Sequence, residues 1–152
     1  MPDIRSFEVS DAAAVAQLTA AAPQVAQWSE HSYAQLLDLG YSGWVAVAPR
    51  DARLAGFLVT RSLGTEAEIL NLVVAPEYRR TGIAAALLEA AQKSFFAAHV
   101  NRAYLEVRAS NVPAIAFYKK HHFAATGTRP NYYQYPKESA VLMEKILTAD
   151  QS

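Results

Sequence analysis

Val73-Val74-Ala75-Pro76-Glu77-Tyr78-Arg79-Arg80-Thr81-Gly82-Ile83-Ala84 is the stretch that decides the fold. An apolar run stops at a proline; two arginines, a threonine and a glycine follow. Beyond them Ile83, Leu87, Ala91 and Phe95 recur at helical spacing. A buried strand, Glu68 to Val74, therefore passes through a turn into a long helix, expected from Gly82 to about His99. The first turn of a helix has free backbone N–H groups and the positive end of the helix dipole. Gly82 and Ala84 carry little side chain, and Arg79 or Arg80 adds positive charge. The stretch suits a phosphate or pyrophosphate. It lacks the Gly-Lys-Ser/Thr ending of a P-loop and the three glycines of a dinucleotide fingerprint. An ordinary helix start with exposed arginines fits the same residues, so both readings stand at this point.

Working outward, further strands are expected at Asp3–Glu8, Trp44–Ala48, Leu54–Arg61, Arg102–Arg108, Phe123–Thr128 and Ala140–Ile146. Ser10 or Asp11 can cap a helix running to about Ala22. Ser29 can cap a short second one, stopped by Gly40. Another helix runs from Asn111 to about His121, with Pro113 harmless in its first turn. The last two strands are expected to be joined by a long loop carrying Asn131, Tyr132, Tyr133, Tyr135 and Pro136, and Thr148 to Ser152 read as a polar tail. This mixture predicts an α/β (α+β) domain spanning 1–152, a mixed sheet covered by helices on both faces.

Composition narrows the chemistry. At 52% hydrophobic and 18% charged the chain is globular, and no run approaches the roughly 20 apolar residues of a membrane helix. There is no secretory pattern at Met1 to Arg5, so a cytoplasmic protein is expected. The absence of cysteine excludes disulfides, a thiolate nucleophile and thiolate metal sites. Zero formal charge predicts no bulk attraction to nucleic acid or membrane. His31, His99, His121 and His122 show no ligand spacing, so no metal is expected.

Arg79-Arg80-Thr81-Gly82-Ile83-Ala84 resembles the Arg/Gln-x-x-Gly-x-Gly/Ala signature of the GNAT acetyltransferase superfamily. Leu105-Glu106-Val107-Arg108-Ala109-Ser110-Asn111, with Ala114, Ala116, Phe117 and Tyr118 beyond it, resembles the RimI group within that superfamily. Trp28-Ser29-Glu30 and Asn131-Tyr132-Tyr133 do so too. The resemblance implies a mixed, mostly antiparallel sheet of about seven strands flanked by four helices. It implies acetyl-CoA as cosubstrate. The cosubstrate would be held by the backbone of Leu72, Val73 and Val74, by Arg79, Arg80, Thr81, Gly82, Ile83, Ala84 and Ala85, and by Asn111 and Tyr118. The acceptor it implies is the N-terminal amine of a peptide or protein, with a small-subunit ribosomal protein as the group's substrate. Trp28, Glu30, Tyr33, Asn131, Tyr132 and Tyr133 would flank that acceptor. Two positions depart from the pattern: His122 stands where a glycine is common, and Pro130 directly precedes the Asn-Tyr-Tyr segment.

The chemistry asks little of the protein. A peptide α-amine has a reference pKa of about 7.7–8.0, so much of it is neutral near pH 7 and a modest base suffices. Glu106 is the candidate base, a role the resemblance implies; a solvated carboxylate paired with Arg108 or Arg102 is the plain alternative. Tyr118 is the candidate acid toward the departing thiolate; a core aromatic is the alternative. Asn111 and Tyr118, seven residues apart, lie nearly on one helix face, and Asn111 also fits a helix cap. For function, a lysine, polyamine or other small amine as acceptor, or a CoA-binding module without catalysis, remain the competing readings.

Overall fold

The computed structural model describes residues 2–22, 25, 27–134 and 136–147; Tyr135 and the tail from Thr148 lie outside the described residues. Its strands are β1 (Asp3–Ser6), β2 (Tyr41–Val47), β3 (Leu54–Leu63), β4 (Glu66–Val74), β5 (Arg102–Arg108), β6 (Ala124–Gln134) and β7 (Lys137–Ile146). Its helices are α1 (Ala12–Ala20), α2 (Glu30–Ala34), α3 (Ile83–Ala97) and α4 (Val112–Lys120). The strands form one seven-stranded sheet in the order β1-β2-β3-β4-β5-β7-β6. Every pairing is antiparallel except β4 with β5.

Two apolar cores sit on opposite faces of the sheet. On one, α3 sends Ile83, Leu87, Ala91 and Phe95 against Leu58, Ile69, Leu105 and Met143. These are the residues whose helical spacing marked α3 in the sequence. On the other, Val15, Tyr33 and Leu36 cover Phe57, Val59 and Val73. Burying one such side chain contributes about 1.5–3 kcal/mol, so loss of either face would leave the sheet half solvated.

Local chemistry sets the helix starts. Ser29 Oγ accepts from the Ser32 N–H at 3.1 Å, and Asn111 Oδ1 from the Ala114 N–H at 3.3 Å, as caps do. Asp11 behaves otherwise. Its carboxylate does not cap α1 but receives both Arg5 guanidinium nitrogens at 2.9 Å and the Glu8 N–H at 2.8 Å. The arginine on β1 competes for the same oxygens, so Asp11 fastens β1 to the turn before α1. At the end of α4, His122 adopts φ +73°, the left-handed conformation that a glycine would hold without strain.

The long loop expected between the last strands is a correction. β6 continues to Gln134 and β7 begins at Lys137, so two residues stand between the strands. Gly127, Pro130 and Asn131 disguised the strand. β6 absorbs them by register shifts, in the second of which Pro130 to Tyr132 oppose the single residue Ser139. As an edge strand it tolerates a proline. Asn131 turns the bulge at φ +55°.

β4 carries a further irregularity. Val59 faces Asn71 and Thr60 faces Ile69, so Leu70 is one residue too many. Leu70 packs with the core around Tyr33, and Asn71 donates to the Tyr33 hydroxyl at 3.1 Å. Both therefore point to the same side, as at a bulge.

Candidate active site

Strands β4 and β5 pair through Glu66–Ile69 and Arg102–Leu105 and no further. Pairing stops where Leu70 bends β4, so the two strands diverge toward their C-terminal ends. The Ala75 N–H donates to the Ala55 carbonyl at 2.8 Å. Strand alternation then turns the Leu72 and Val74 N–H groups to the opposite edge, toward β5, where β4 has no strand partner. Val73 is buried in the core on the α1–α2 face, while Leu72 and Val74 pack against the α3 core. The apolar side chains anchor β4 and leave one of its edges available.

The turn after β4 opens on the same end. Arg79, Arg80, Thr81 and Gly82 are exposed, Ile83 is buried, and Ala84 and Ala85 are half-buried. Arg80 (φ +63°) and Gly82 (φ +85°) both adopt left-handed backbone. Thr81 Oγ donates to the Tyr78 carbonyl and closes the turn. From Arg80 to Ala85 the backbone N–H groups have no acceptor among the described residues, and no side chain caps α3. Unpaired donors, a helix dipole and two exposed guanidinium groups make a cradle for a diphosphate. The donor set fits the pyrophosphate of a CoA.

On β5, Ala103, Leu105 and Val107 are buried toward α3, which turns Tyr104, Glu106 and Arg108 to the other face. Glu106 is only 18% exposed there and pairs with Arg129 at 3.4 Å. The arginines expected to hold it are otherwise engaged. Arg102 bonds Glu144 at 2.5 Å and Glu66 at 3.1 Å; Arg108 bonds Glu138 at 3.1 Å and the Pro136 carbonyl at 3.0 Å. The bulge in β6 brings Tyr132 and Tyr133 alongside. Interaction of the Tyr132 hydroxyl with Glu106, and then burial, raises its pKa above the usual phenol value. Burial first, and then the Glu106 charge, pushes Tyr133 up to about 12. Arg129 lies 5.3 Å over the Tyr132 ring and Arg108 4.2 Å over Tyr133. Both phenols therefore stay protonated beside the carboxylate. Sequence reasoning missed Arg129, whose position depends on a bulge that Pro130 alone could have signalled.

Tyr118 sits on the other side. It is buried in the α3 core with Leu105 and Val107, its ring 5.3 Å from Phe117 and 5.4 Å from Phe123. Its hydroxyl has no hydrogen-bond partner among the described residues, and burial raises its pKa far above that of a free phenol. Glu106 and Tyr118 thus flank β5 from opposite faces. A ligand that meets both must pass through the opening between β4 and β5. Asn111 caps the helix that carries Tyr118.

The front segment divides. Glu30 is exposed at the start of α2. Trp28 is half-buried, 5.5 Å from Tyr33 and 6.3 Å from Tyr41. Tyr33 does not border an acceptor in this geometry: it is fully buried, and its hydroxyl meets Thr19 Oγ at 2.7 Å and the Asn71 amide. Its spacing to Leu36 puts both on the inner face of α2 and the turn that follows, which decides its burial. Asn131 is exposed at the β6 bulge. Among the described residues no group of His, Asp or Glu could hold a metal ion, and no helix is long and apolar enough to cross a membrane.

The sequence model of the Acetyltransferase (GNAT) family matches residues 12–123. The chain belongs to the GNAT acetyltransferase family. Among GNAT proteins it is 32% identical to the [ribosomal protein bS18]-alanine N-acetyltransferase of Escherichia coli, over 94% of this chain and 96% of the relative. It is 35% identical to an N-alpha-acetyltransferase of Saccharolobus solfataricus, over 74% of this chain and 73% of that one. The crystal structure of the Escherichia coli ribosomal-protein-S18-alanine N-acetyltransferase superposes with a TM-score of 0.84 at 30% identity, covering 97% and 95% of the two chains. Arabidopsis thaliana NAA60 in complex with acetyl-CoA shares the fold, with a TM-score of 0.86 at 23% identity over 97% and 99%. The GNAT chain described here is an N-acetyltransferase.

Proposed function

We propose that this N-acetyltransferase moves the acetyl group of acetyl-CoA to the N-terminal α-amine of a protein, with an alanine-initiated small-subunit ribosomal protein as the leading acceptor. The observation that carries the reading is the placement of Glu106 and Tyr118 on either side of the β4–β5 opening, with the diphosphate cradle at its end. The cosubstrate supplies an activated thioester.

The chain's own groups divide the remaining work. The N–H groups from Arg80 to Ala85 and the guanidinium groups of Arg79 and Arg80 hold the diphosphate. The outward N–H groups of Leu72 and Val74 bind the pantetheine arm, and that of Val74 stabilises charge developing on the thioester oxygen. Asn111 binds the cosubstrate beside its capping role. Glu106 accepts the proton of the attacking amine, directly or through water, as the C–N bond forms. Tyr118 donates its proton to sulfur as the C–S bond breaks; its raised pKa keeps that proton in place until then. Tyr132, Tyr133 and Asn131 line the acceptor side, with Trp28 and Glu30 at its far border.

Incubation with acetyl-CoA and a panel of peptides tests the reading, with free CoA and peptide mass followed together. One acetyl group on the α-amine of the alanine-initiated peptide is the expected result. Acetylation only of lysine or polyamine controls would replace the acceptor assignment. CoA binding without turnover of any amine would replace the enzymatic one.

A further inference from the structure

The acceptor-side and cosubstrate-side residues are joined through one carboxylate that neither group contains. Glu138 Oε1 accepts from Arg108 Nη1 at 3.1 Å and from Ser110 Oγ at 3.0 Å, and its Oε2 accepts from the Ser110 N–H at 3.1 Å. Arg108 lies over Tyr133 and also holds the Pro136 carbonyl. Ser110 immediately precedes Asn111, the cap of the helix bearing Tyr118. One side chain thus grips the turn into α4 and the hairpin that presents Tyr132 and Tyr133.

That grip matters because the sheet does not supply it. The last β5–β7 pair is Arg108 with Ala140, so the hairpin beyond Ser139 projects past the end of β5. Within the projection, among the described residues, β6 and β7 pair at Tyr133–Glu138 and Gln134–Lys137, above a bulge of three residues against one. A two-stranded ribbon of that size is marginal by itself. Besides the Tyr132 hydroxyl on Glu106, its attachment among the described residues includes Glu138, Arg108, Ser110 and the Ala109 N–H to the Ser139 carbonyl at 3.0 Å. Charge-assisted bonds of this kind hold more firmly than neutral ones.

We propose that Glu138 is a positioning residue that couples the two substrate sites, so that filling the cosubstrate side at α4 fixes the hairpin that receives the acceptor. The proposal rests on the assignment of those two sites made above. It makes the affinity for the acceptor depend on bound acetyl-CoA, and the dependence reciprocal.

Glu138→Gln tests it, since the amide keeps the volume but offers one acceptor oxygen where three donors converge. Two readouts are taken. The first is hydrogen exchange of backbone amides in residues 129–139 with and without acetyl-CoA, which needs no acceptor. Acetyl-CoA is expected to slow exchange there in the wild-type chain and not in Glu138→Gln. The second is steady-state kinetics with the alanine-initiated peptide. The acceptor KM is expected to rise about fivefold or more, with kcat and the acetyl-CoA Kd changing far less. If only thermal stability falls while KM and the exchange response persist, the coupling role is overturned. Should Glu138→Gln not fold, Ser110→Ala, which removes one of the three donors, is expected to show the same changes in smaller measure; an unaltered response there overturns the proposal. Failure of all amines to turn over would refute the proposed function alone, because the exchange experiment still decides the coupling.

Discussion

Glu106, the proposed base, is turned by the β5 alternation into a half-enclosed setting with two phenols and one exposed guanidinium. Glu106→Gln removes the proton acceptor while preserving shape. Turnover is expected to fall by about 100-fold, the lower end for a general base acting on an amine already partly neutral. The rate should then climb more steeply with pH, and acetyl-CoA affinity should hold; a pH–rate profile identical to wild type would remove Glu106 from the role. Tyr118→Phe deletes a hydroxyl that has no protein partner among the described residues, so the ring packing stays. Transfer should slow by about tenfold or more with acetyl-CoA binding intact, and full activity would leave Tyr118 a core aromatic. At this scale the sequence singled out Glu106, Tyr118 and the Gly82 turn as candidates, because each sits in a short contiguous motif. Arg129 and Glu138 were not legible, since their partners lie 23 and 28 residues away across the sheet.

At the level of elements, strong periodicity was readable and its interruptions were not. α3 and β5 declared themselves by spacing of 3.6 and 2 residues. β6 did not, since glycine, proline and a left-handed asparagine read as a loop to any rule that looks only along the chain. α4 ends on a residue that has to be strained: His122 is exposed, holds φ +73° and donates its N–H to the Lys119 carbonyl at 3.1 Å. Left-handed backbone costs a residue with a Cβ about 1–2 kcal/mol, part of which glycine gives back through its freer unfolded chain. His122→Gly is therefore expected to stabilise the protein by about 0.5–1 kcal/mol, raising Tm by about 1–4 °C. Calorimetry that finds a lower Tm would mean that the imidazole makes a compensating contact.

At the scale of the whole molecule, the Asp11 carboxylate is an acid-sensitive tie. Burial tends to raise the Asp11 pKa, but its bonds to Arg5 and to the Glu8 N–H outweigh that and hold it below the usual carboxylate value. A depressed folded pKa adds stability that is complete above the unfolded value, about 3.9, and is lost as pH falls through the folded one. Asp11→Asn should cost about 1–2 kcal/mol at neutral pH, because the partner Arg5 is partly exposed and the pair is screened. The penalty should shrink below pH 4. Denaturant melts at pH 7 and pH 3 check this, and an equal penalty at both would deny the carboxylate its charge-dependent role. The order of elements and the mixed sheet could be read from the sequence. Its split could not, because Ile69-Leu70-Asn71-Leu72-Val73-Val74 is almost uniformly apolar and hides which residue is extra.

The extra residue in β4 also separates the opening from the cores. Leu70 and Asn71 share a side, so a chain shortened by Leu70 alone would keep Ile69, Asn71 and Leu72 on the faces they now occupy. The α3 core would retain its complement of side chains and the core around Tyr33 would give up only Leu70, while the bend that ends pairing with β5 would be lost. The gap between the strands is therefore a matter of chain length at a single position. One codon gained or lost there opens or closes it, with one partly buried leucine as the whole change to either hydrophobic face.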